Sequence, residues 1–227
     1  MRDWDHFIDQ VPWFLNPDEV ATVGEEKPWS RSPVVGLPRL SELLSSVALT
    51  PVSVSNMKYE LLAWGPPSAR QGWLCHPPPA TSPGHVHPIH SQFWSVCGGI
   101  VERFGEKNHS ETEGQDWWSD QDDILTVTAT YLSVSESLDA CVWIREENGL
   151  TIPILPEEYY VVAVEANGNL TLVHRKSGEL ILFAPDHAFE GATIFPGCPD
   201  NSLFTVDSVP DLPSWIEDCV LKSFQYH

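Results

Sequence analysis

The chain has 227 residues, of which 32 are acidic and 12 are basic, giving a formal charge of −20, and 42% are hydrophobic. This length and apolar content let a chain bury a core without a metal or a disulfide, and they exclude a disordered tail. The charge repels nucleic-acid phosphates and anionic membranes, so we expect neither as a partner. It serves either solubility alone or the capture of a basic protein.

The five cysteines are scattered along the chain without a CxxC pair, which favours reduced thiols in a cytoplasmic protein. Cys97 and Cys219 fall on the apolar faces of predicted helices, where we expect them to be buried. The N-terminal residues carry acids and tryptophans, unlike the basic and then apolar order of a signal peptide. No apolar run is long enough to span a membrane. We therefore predict a soluble, cytoplasmic protein.

The first predicted elements precede a proline-rich stretch. Residues 1–36 are predicted to be an irregular lead-in segment with a short helix over residues 4–7. In LPRLSELLSSVAL, leucines at spacings of three and four predict a short amphipathic helix that begins at Pro38. The alternating segment SVSNMKYELLAW predicts a half-buried strand. Residues 65–88 are rich in proline and predict an extended surface loop, inserted into a single domain that covers residues 37–227.

The next stretch, GHVHPIHSQFWSVCGGI, places His85, His87 and His90 before an apolar segment and two glycines. Pro88 and the double glycine mark the start and the end of a short helix. At about 100° per residue, His90 lies on the flank of the packed face and points away from the other two histidines. The favoured interpretation is therefore a loop that leads into a packed helix.

The alternative for this stretch is a metal site. Zinc needs three or four nitrogen, sulfur or oxygen ligands at about 2.0–2.3 Å. Two histidines separated by one residue share one face of a strand, and a Cys-His pair lies about ten residues upstream. A metal-dependent enzyme would use Cys75, His76, His85 and His87. The sequence has no G-x-S-x-G elbow and no phosphate-binding glycine loop that would indicate other catalysis.

The second half is predicted to be rich in strands. An acidic connection leads into ILTVTATYLSV, a β-branched run predicted as one strand, and LDACVWIRE is predicted as a strand or a short helix. Three alternating apolar runs with short turns predict an antiparallel meander. The runs are residues 160–165, 170–174 and 179–184. In PDLPSWIEDCVLKSF, an apolar face and a capping box of Ser214 and Glu217 predict a closing helix. Helices flanking an antiparallel sheet define an α+β domain.

Four segments of the chain follow one another in a recognisable order. They are FWSVCGGIVERFGE with its two glycines, the acidic and aromatic WWSDQDDILT, the meander GNLTLVHRKSGELILFAPDHAF and the closing LPSWIEDCVLKSF. Together they resemble the SMI1/KNR4 superfamily, also called SUKH, over residues 37–227. The resemblance implies an α+β domain used mainly to bind proteins, and many bacterial members resemble immunity proteins that neutralise toxins, often nucleases. The superfamily has no shared catalytic residues, so none is carried over and no cofactor is implied.

The leading hypothesis is a non-enzymatic, acidic protein-binding module, an immunity protein that neutralises a basic, nuclease-type toxin. Nucleases are usually basic because they bind phosphates, and an acidic surface attracts them at long range. Tryptophans within an acidic segment are typical anchors of an interface. The predicted contact residues are Glu111, Glu113, Asp116, Trp117, Trp118, Asp120, Asp122 and Asp123. The alternatives are the metal-dependent enzyme and an accessory or scaffold subunit of a larger bacterial system.

Overall fold

The computed structural model describes seven parts of the chain. They are residues 2–81, 83–105, 121–140, 153–165, 168–185, 191–207 and 209–224. Within these ranges the chain forms one antiparallel sheet of twelve strands and six helices. Helices lie against both faces of the sheet, so the predicted α+β class, an antiparallel sheet flanked by short helices, is confirmed.

The strands follow one another across the sheet mostly in chain order, because short connections pair each strand with the one before it. Their bounds are β1 (Ala21–Val23), β2 (Lys27–Pro28), β3 (Ala48–Val54), β4 (Met57–Trp64), β5 (Gln71–Cys75), β6 (Ile100–Phe104), β7 (Gln121–Ile124), β8 (Tyr159–Glu165), β9 (Leu170–His174), β10 (Leu180–Phe183), β11 (Ala192–Ile194) and β12 (Leu203–Val206). The order across the sheet is β1-β3-β4-β5-β6-β7-β8-β9-β10-β12-β11, and β2 also pairs with β3. The strands β6 and β7 therefore lie in the middle of the sheet.

The helices are short, with the longest at the end of the chain. Their bounds are α1 (Asp3–Gln10), α2 (Pro38–Ser45), α3 (Pro88–Trp94), α4 (Val127–Thr130), α5 (Val134–Ala140) and α6 (Leu212–Phe224). Pro38 and Pro88 are the first residues of α2 and α3, as predicted. Among the helices described, none has the length and apolarity that crossing a membrane needs.

The core is divided between the two faces of the sheet. One continuous core lies between the strands and helices α2, α3 and α6. The other face carries two smaller cores, one beneath α1 on β3 to β6 and one beneath α4 and α5 on β8 to β12. Successive residues of a strand point to opposite faces, so strands covered on both faces are apolar throughout. The predicted half-buried strand is accordingly buried on both faces over residues 61–64.

The proline-rich stretch over residues 65–88 is not a continuous surface loop, and that prediction is wrong. Gln71–Cys75 forms β5, which is buried at every position. Gly72 packs so closely that a Cβ there would lie 2.2 Å from the carbonyl oxygen of Leu62 on β4. The prolines flank this strand without interrupting it, so its own N–H groups remain available for the sheet.

The β-branched run ILTVTATYLSV is not a strand. Only Ile124 belongs to β7. The hydroxyl of Thr126 accepts a hydrogen bond from the backbone N–H of Ala129 and begins α4, and a second helix begins at Val134. The cap and the contacts with β8 outweigh the β-propensity of the run. In LDACVWIRE, residues 138–140 belong to α5 and the rest lies outside the described residues.

The lead-in over residues 1–36 contains more regular structure than predicted. The short helix is confirmed within α1, and Trp4 and Phe7 on it are buried against the sheet. Strands β1 and β2, which the sequence did not predict, pair with β3 and extend the sheet at one edge. The N-terminal segment is therefore part of the same sheet as the rest of the chain.

The meander and the closing helix are confirmed as β8, β9, β10 and α6, but the predicted capping box is wrong. The backbone N–H of Ser214 donates to Oδ1 of Asp211 over 2.9 Å. The Glu217 carboxylate instead accepts from the backbone N–H groups of Arg39 and Leu40, at 2.9 and 3.1 Å. These N–H groups lie in the first turn of α2, where helical N–H groups lack partners of their own. Glu217 therefore caps α2 and joins it to α6.

Candidate interaction surface

His90 is fully buried, so the prediction that it lies only on the flank of the packed face of α3 is wrong. Its Nε2 lies 3.1 Å from the carbonyl oxygen of Leu125, which can only accept, so Nε2 carries the proton. Nδ1 then accepts from the hydroxyl of Tyr160 at 3.1 Å, and that hydroxyl accepts from the backbone N–H of His87 at 3.2 Å. Burial lowers the pKa of His90 to about 4. His90 is thus a neutral structural side chain that ties α3 to β8.

The proposed metal ligands do not converge. They are Cys75, His76, His85 and His87. Cys75 is buried in the core, where burial and the neighbouring thiol of Cys97 raise its pKa. His76 stacks on the ring of Tyr59, with ring centroids 5.5 Å apart. Across the described ranges, no three histidine, cysteine, aspartate or glutamate side chains are grouped so that they could hold a metal ion.

The predicted contact residues fall into two groups. Glu111, Glu113, Asp116, Trp117, Trp118 and Asp120 lie outside the described residues. Asp122 and Asp123 belong to β7, which pairs with β6. Asp123 is half-buried; burial lowers the pKa of His76, and the charge of Asp123 opposes part of that lowering. The acidic connection over residues 105–120 therefore joins two neighbouring strands in the middle of the sheet.

Trp13 is a surface residue that the sequence pattern did not single out. It lies in a single 3-10 turn over Pro12–Phe14, directly after α1, and 71% of its surface is exposed. Its indole N–H donates a hydrogen bond over 3.3 Å to Oε2 of Glu102 on β6. A large aromatic side chain is thus held at the surface by a carboxylate from the middle of the sheet.

The turn that carries Trp13 is supported from below by aromatic rings. The ring of Phe14 lies 5.3 Å from that of Phe7 and 5.5 Å from that of Tyr59, both in edge-to-face geometry. Phe7 in turn meets Phe104 of β6 at 6.0 Å. Edge-to-face pairs of this kind add to the stabilisation from buried area. The backbone of Trp13 is therefore fixed to the sheet although its side chain is exposed.

The end of β6 lies against α1, the helix that precedes Trp13. Gly105, the first residue after β6, donates its N–H over 2.7 Å to Oε1 of Gln10 at the end of α1. Gly105 has a φ of +80°, and a Cβ there would lie 2.3 Å from the carbonyl oxygen of Arg70, so glycine alone fits this contact. Gly105 is thus bonded to Gln10, which precedes Trp13 by three residues in the sequence.

Most of the acidic side chains that the structure describes lie at the surface. Among the acidic residues whose side chains are described, only Asp3 and Glu165 are buried. Asp3 pairs with Arg70 over 2.7 Å, and Glu165 accepts from the side-chain amide of Asn169 over 2.8 Å. The others are at least partly exposed, so the surface attracts cations at long range.

Comparison of the chain with protein-family models, with curated proteins and with solved structures found no match in any of the three. The surface is therefore interpreted from its own chemistry. It combines an exposed indole, carboxylates on the central strands β6 and β7, and packed aromatic rings that fix the turn of Trp13. Such a combination suits contact with a positively charged protein surface.

Proposed function

We propose that the protein is a non-enzymatic, acidic protein-binding module of the SUKH type. In this proposal it acts in the cytoplasm as an immunity protein that neutralises a basic, nuclease-type toxin by direct binding. It uses no cofactor, no metal ion and no catalytic residue. The contact surface consists of Trp13, Glu102, Asp123 and the acidic connection over residues 105–120.

The observation that carries the proposal is the position of the charge. The formal charge of the chain is −20, and among the acidic side chains that the structure describes the fold buries only those of Asp3 and Glu165. A surface of this sign accelerates association with a basic protein and rejects acidic ones. The same negative charge repels the phosphates of nucleic acid, so we propose a protein as the partner.

At physiological salt, only the acidic residues close to the contact attract the partner strongly. At physiological ionic strength the Debye length is about 8 Å, so remote charges steer an encounter less than adjacent ones do. The sequence places acidic residues at 106, 111, 113, 116, 120, 122 and 123, the densest run in the chain. Gly105, just before this run, donates to Gln10 of α1, and Trp13, which follows α1, is an exposed aromatic side chain of the kind that anchors interfaces.

The first experiment recovers the partner and tests the acidic connection. Tagged protein is purified at low salt from the cells that produce it and eluted with rising NaCl, and the eluted proteins are identified by mass spectrometry. We expect a basic protein whose nuclease activity falls as the purified immunity protein is titrated in. The charge reversal Asp120→Lys, Asp122→Lys and Asp123→Lys should weaken this binding at least tenfold, because attractive contacts become repulsive.

A matched reversal serves as the control. Glu136, Asp139 and Glu157 are exposed acids on and beside α5, away from Trp13. Changing these three to lysine alters the net charge by the same amount and should reduce the affinity much less. Equal losses in both triple variants would contradict a contact at the acidic connection. Absence of any basic partner would contradict the function itself.

Elemental analysis tests the rival enzyme. We expect no stoichiometric zinc or iron in the purified protein, because the four proposed ligands are separated in the fold. A stoichiometric metal that is lost in a His85→Ala, His87→Ala double variant would overturn the non-enzymatic proposal.

A further inference from the structure

The geometry points to Trp13 and Glu102 as a recognition site for an arginine side chain of the protein partner. This inference rests on the proposed function and assigns it a specific contact among the described residues. The guanidinium would lie flat against the exposed indole and donate hydrogen bonds to the carboxylate. Its positive charge would be attracted by the net charge of −20 of the chain.

The chain itself contains the arrangement that we infer. The guanidinium carbon of Arg31 lies 5.2 Å from the ring centroid of Trp29. Arg31 also donates to both carboxylate oxygens of Glu60, at 2.5 and 2.7 Å. An indole face and a carboxylate thus hold an arginine within the fold, in the bidentate geometry that guanidinium favours. Trp13 and Glu102 present the same two groups at the surface.

Trp13 is prepared for such a contact. Its indole is held to Glu102 by a hydrogen bond, and its backbone turn is fixed by the rings beneath it. Little side-chain freedom is then lost on binding, which favours affinity. With 71% of its surface exposed, the ring offers a face to an incoming cation.

Glu102 retains capacity to accept further hydrogen bonds. Oε2 accepts from the Trp13 indole at 3.3 Å, and Oε1 accepts from the backbone N–H of Arg103 at 3.1 Å. A carboxylate offers about four acceptor positions, so roughly two remain for a ligand. The carboxylate is half-buried on β6, and partial burial strengthens a charged contact compared with open solvent.

Arginine is favoured over lysine by the shape of the site. A guanidinium is planar and weakly hydrated, so it stacks on an aromatic face while its edge donates to a carboxylate. An ammonium is strongly hydrated and lacks the planar edge. The site should therefore prefer an arginine peptide to a lysine peptide of equal charge.

The experiment is a titration of the full-length protein, labelled with [15N]tryptophan, with the peptide Gly-Arg-Gly-Arg-Gly. The ten indole N–H signals are followed by two-dimensional NMR, and the Trp13 signal is assigned from a Trp13→Phe variant. We expect the Trp13 signal to shift the most. The matched lysine peptide should shift it less, and a citrulline peptide, which has the same shape without charge, should not shift it.

Variants give the energetic test. Trp13→Ala should weaken the arginine peptide about tenfold, and Glu102→Gln about fivefold. Tyr131→Ala and Glu136→Gln are the controls, an exposed aromatic and an exposed acid of the other half of the sheet, and should change affinity less than about twofold. All four positions are exposed or half-buried, so the variants should fold like the parent.

The outcomes separate this inference from the proposed function. An unmoved Trp13 signal, equal shifts with arginine and lysine peptides, or equal losses in the test and control variants would each overturn the arginine site. The function would still stand if the basic partner bound the parent protein in a salt-dependent way. Failure to find any basic partner would remove the function, whatever the peptide does at Trp13.

Discussion

The burial of His90 makes a quantitative prediction about stability and pH. Its pKa in the folded protein is about 4, against 6.5 for an unperturbed histidine. As the pH falls below 6.5, the unfolded chain takes up a proton that the folded chain refuses, so stability is lost progressively between pH 6.5 and 4. Above about pH 7.5 the histidine is neutral in both states, so the folded protein has its full stability with respect to this side chain. Linkage gives a loss of about 2 kcal/mol between pH 8 and pH 5 from this one side chain.

The test compares the parent protein with His90→Gln. Glutamine does not titrate and keeps an amide that can donate to the Leu125 carbonyl, although the change costs about 1–3 kcal/mol at every pH. The free energy of unfolding is measured with urea at pH 5 and pH 8, followed by tryptophan fluorescence. The difference between the two pH values should be about 2 kcal/mol smaller in the variant. Carboxylates common to both proteins cancel in this comparison.

NMR spectra of the parent protein supply a direct observation of His90. The ring signals of His90 in NMR spectra of the parent protein should remain those of a neutral imidazole down to about pH 5. Equal pH differences in the parent and His90→Gln, or titration of His90 near pH 6.5, would refute the reasoning.

Two further predictions test the packing that positions the surface. Removing the cap in Glu217→Ala should lower the free energy of unfolding by about 1 kcal/mol. The control Glu42→Ala, on the exposed face of α2, should have a smaller effect. Urea unfolding measures both variants. In Gly98→Ala, the new Cβ would lie 2.1 Å from the carbonyl oxygen of Pro77, so Tm should fall by at least about 5 °C. Gly84→Ala, with nothing within 4 Å of its Cβ, should leave Tm unchanged, and a similar Tm for both variants would contradict the contact.

The alternation of apolar residues, the short turns and the prolines at helix starts predicted the elements that these local features determine. The meander of β8, β9 and β10 was predictable because its runs alternate and its connections are short. Helices α2 and α6 followed from apolar spacing and from prolines at their starts. β5 was missed because the prolines around Gln71–Cys75 obscured a strand that its neighbours in the sheet stabilise. For the run after Ile124, a single cap at Thr126 reversed the preference of the β-branched residues.

The surface was harder to predict than the fold because its parts are distant in sequence. Trp13 and Glu102 are separated by 89 positions, and only the pairing of α1 with the end of β6 brings them together. His90 shows the same effect, since its partner Tyr160 lies on β8 and its partner Leu125 directly follows β7. The position of His90 around the axis of α3 did not predict its burial, because the residues that bury it come from other elements. The contact residues between 111 and 120 stay a prediction from the charge pattern.

The central claim is that electrostatic attraction drives binding to a basic protein, and its most direct test is the association rate as a function of salt. The rate is measured by stopped-flow fluorescence with the purified partner between 0.01 and 0.15 M ionic strength, over which the Debye length falls from about 30 Å to about 8 Å. We predict a decrease of at least about tenfold in the association rate, with a smaller change in the dissociation rate. An association rate that does not change with salt would contradict the account.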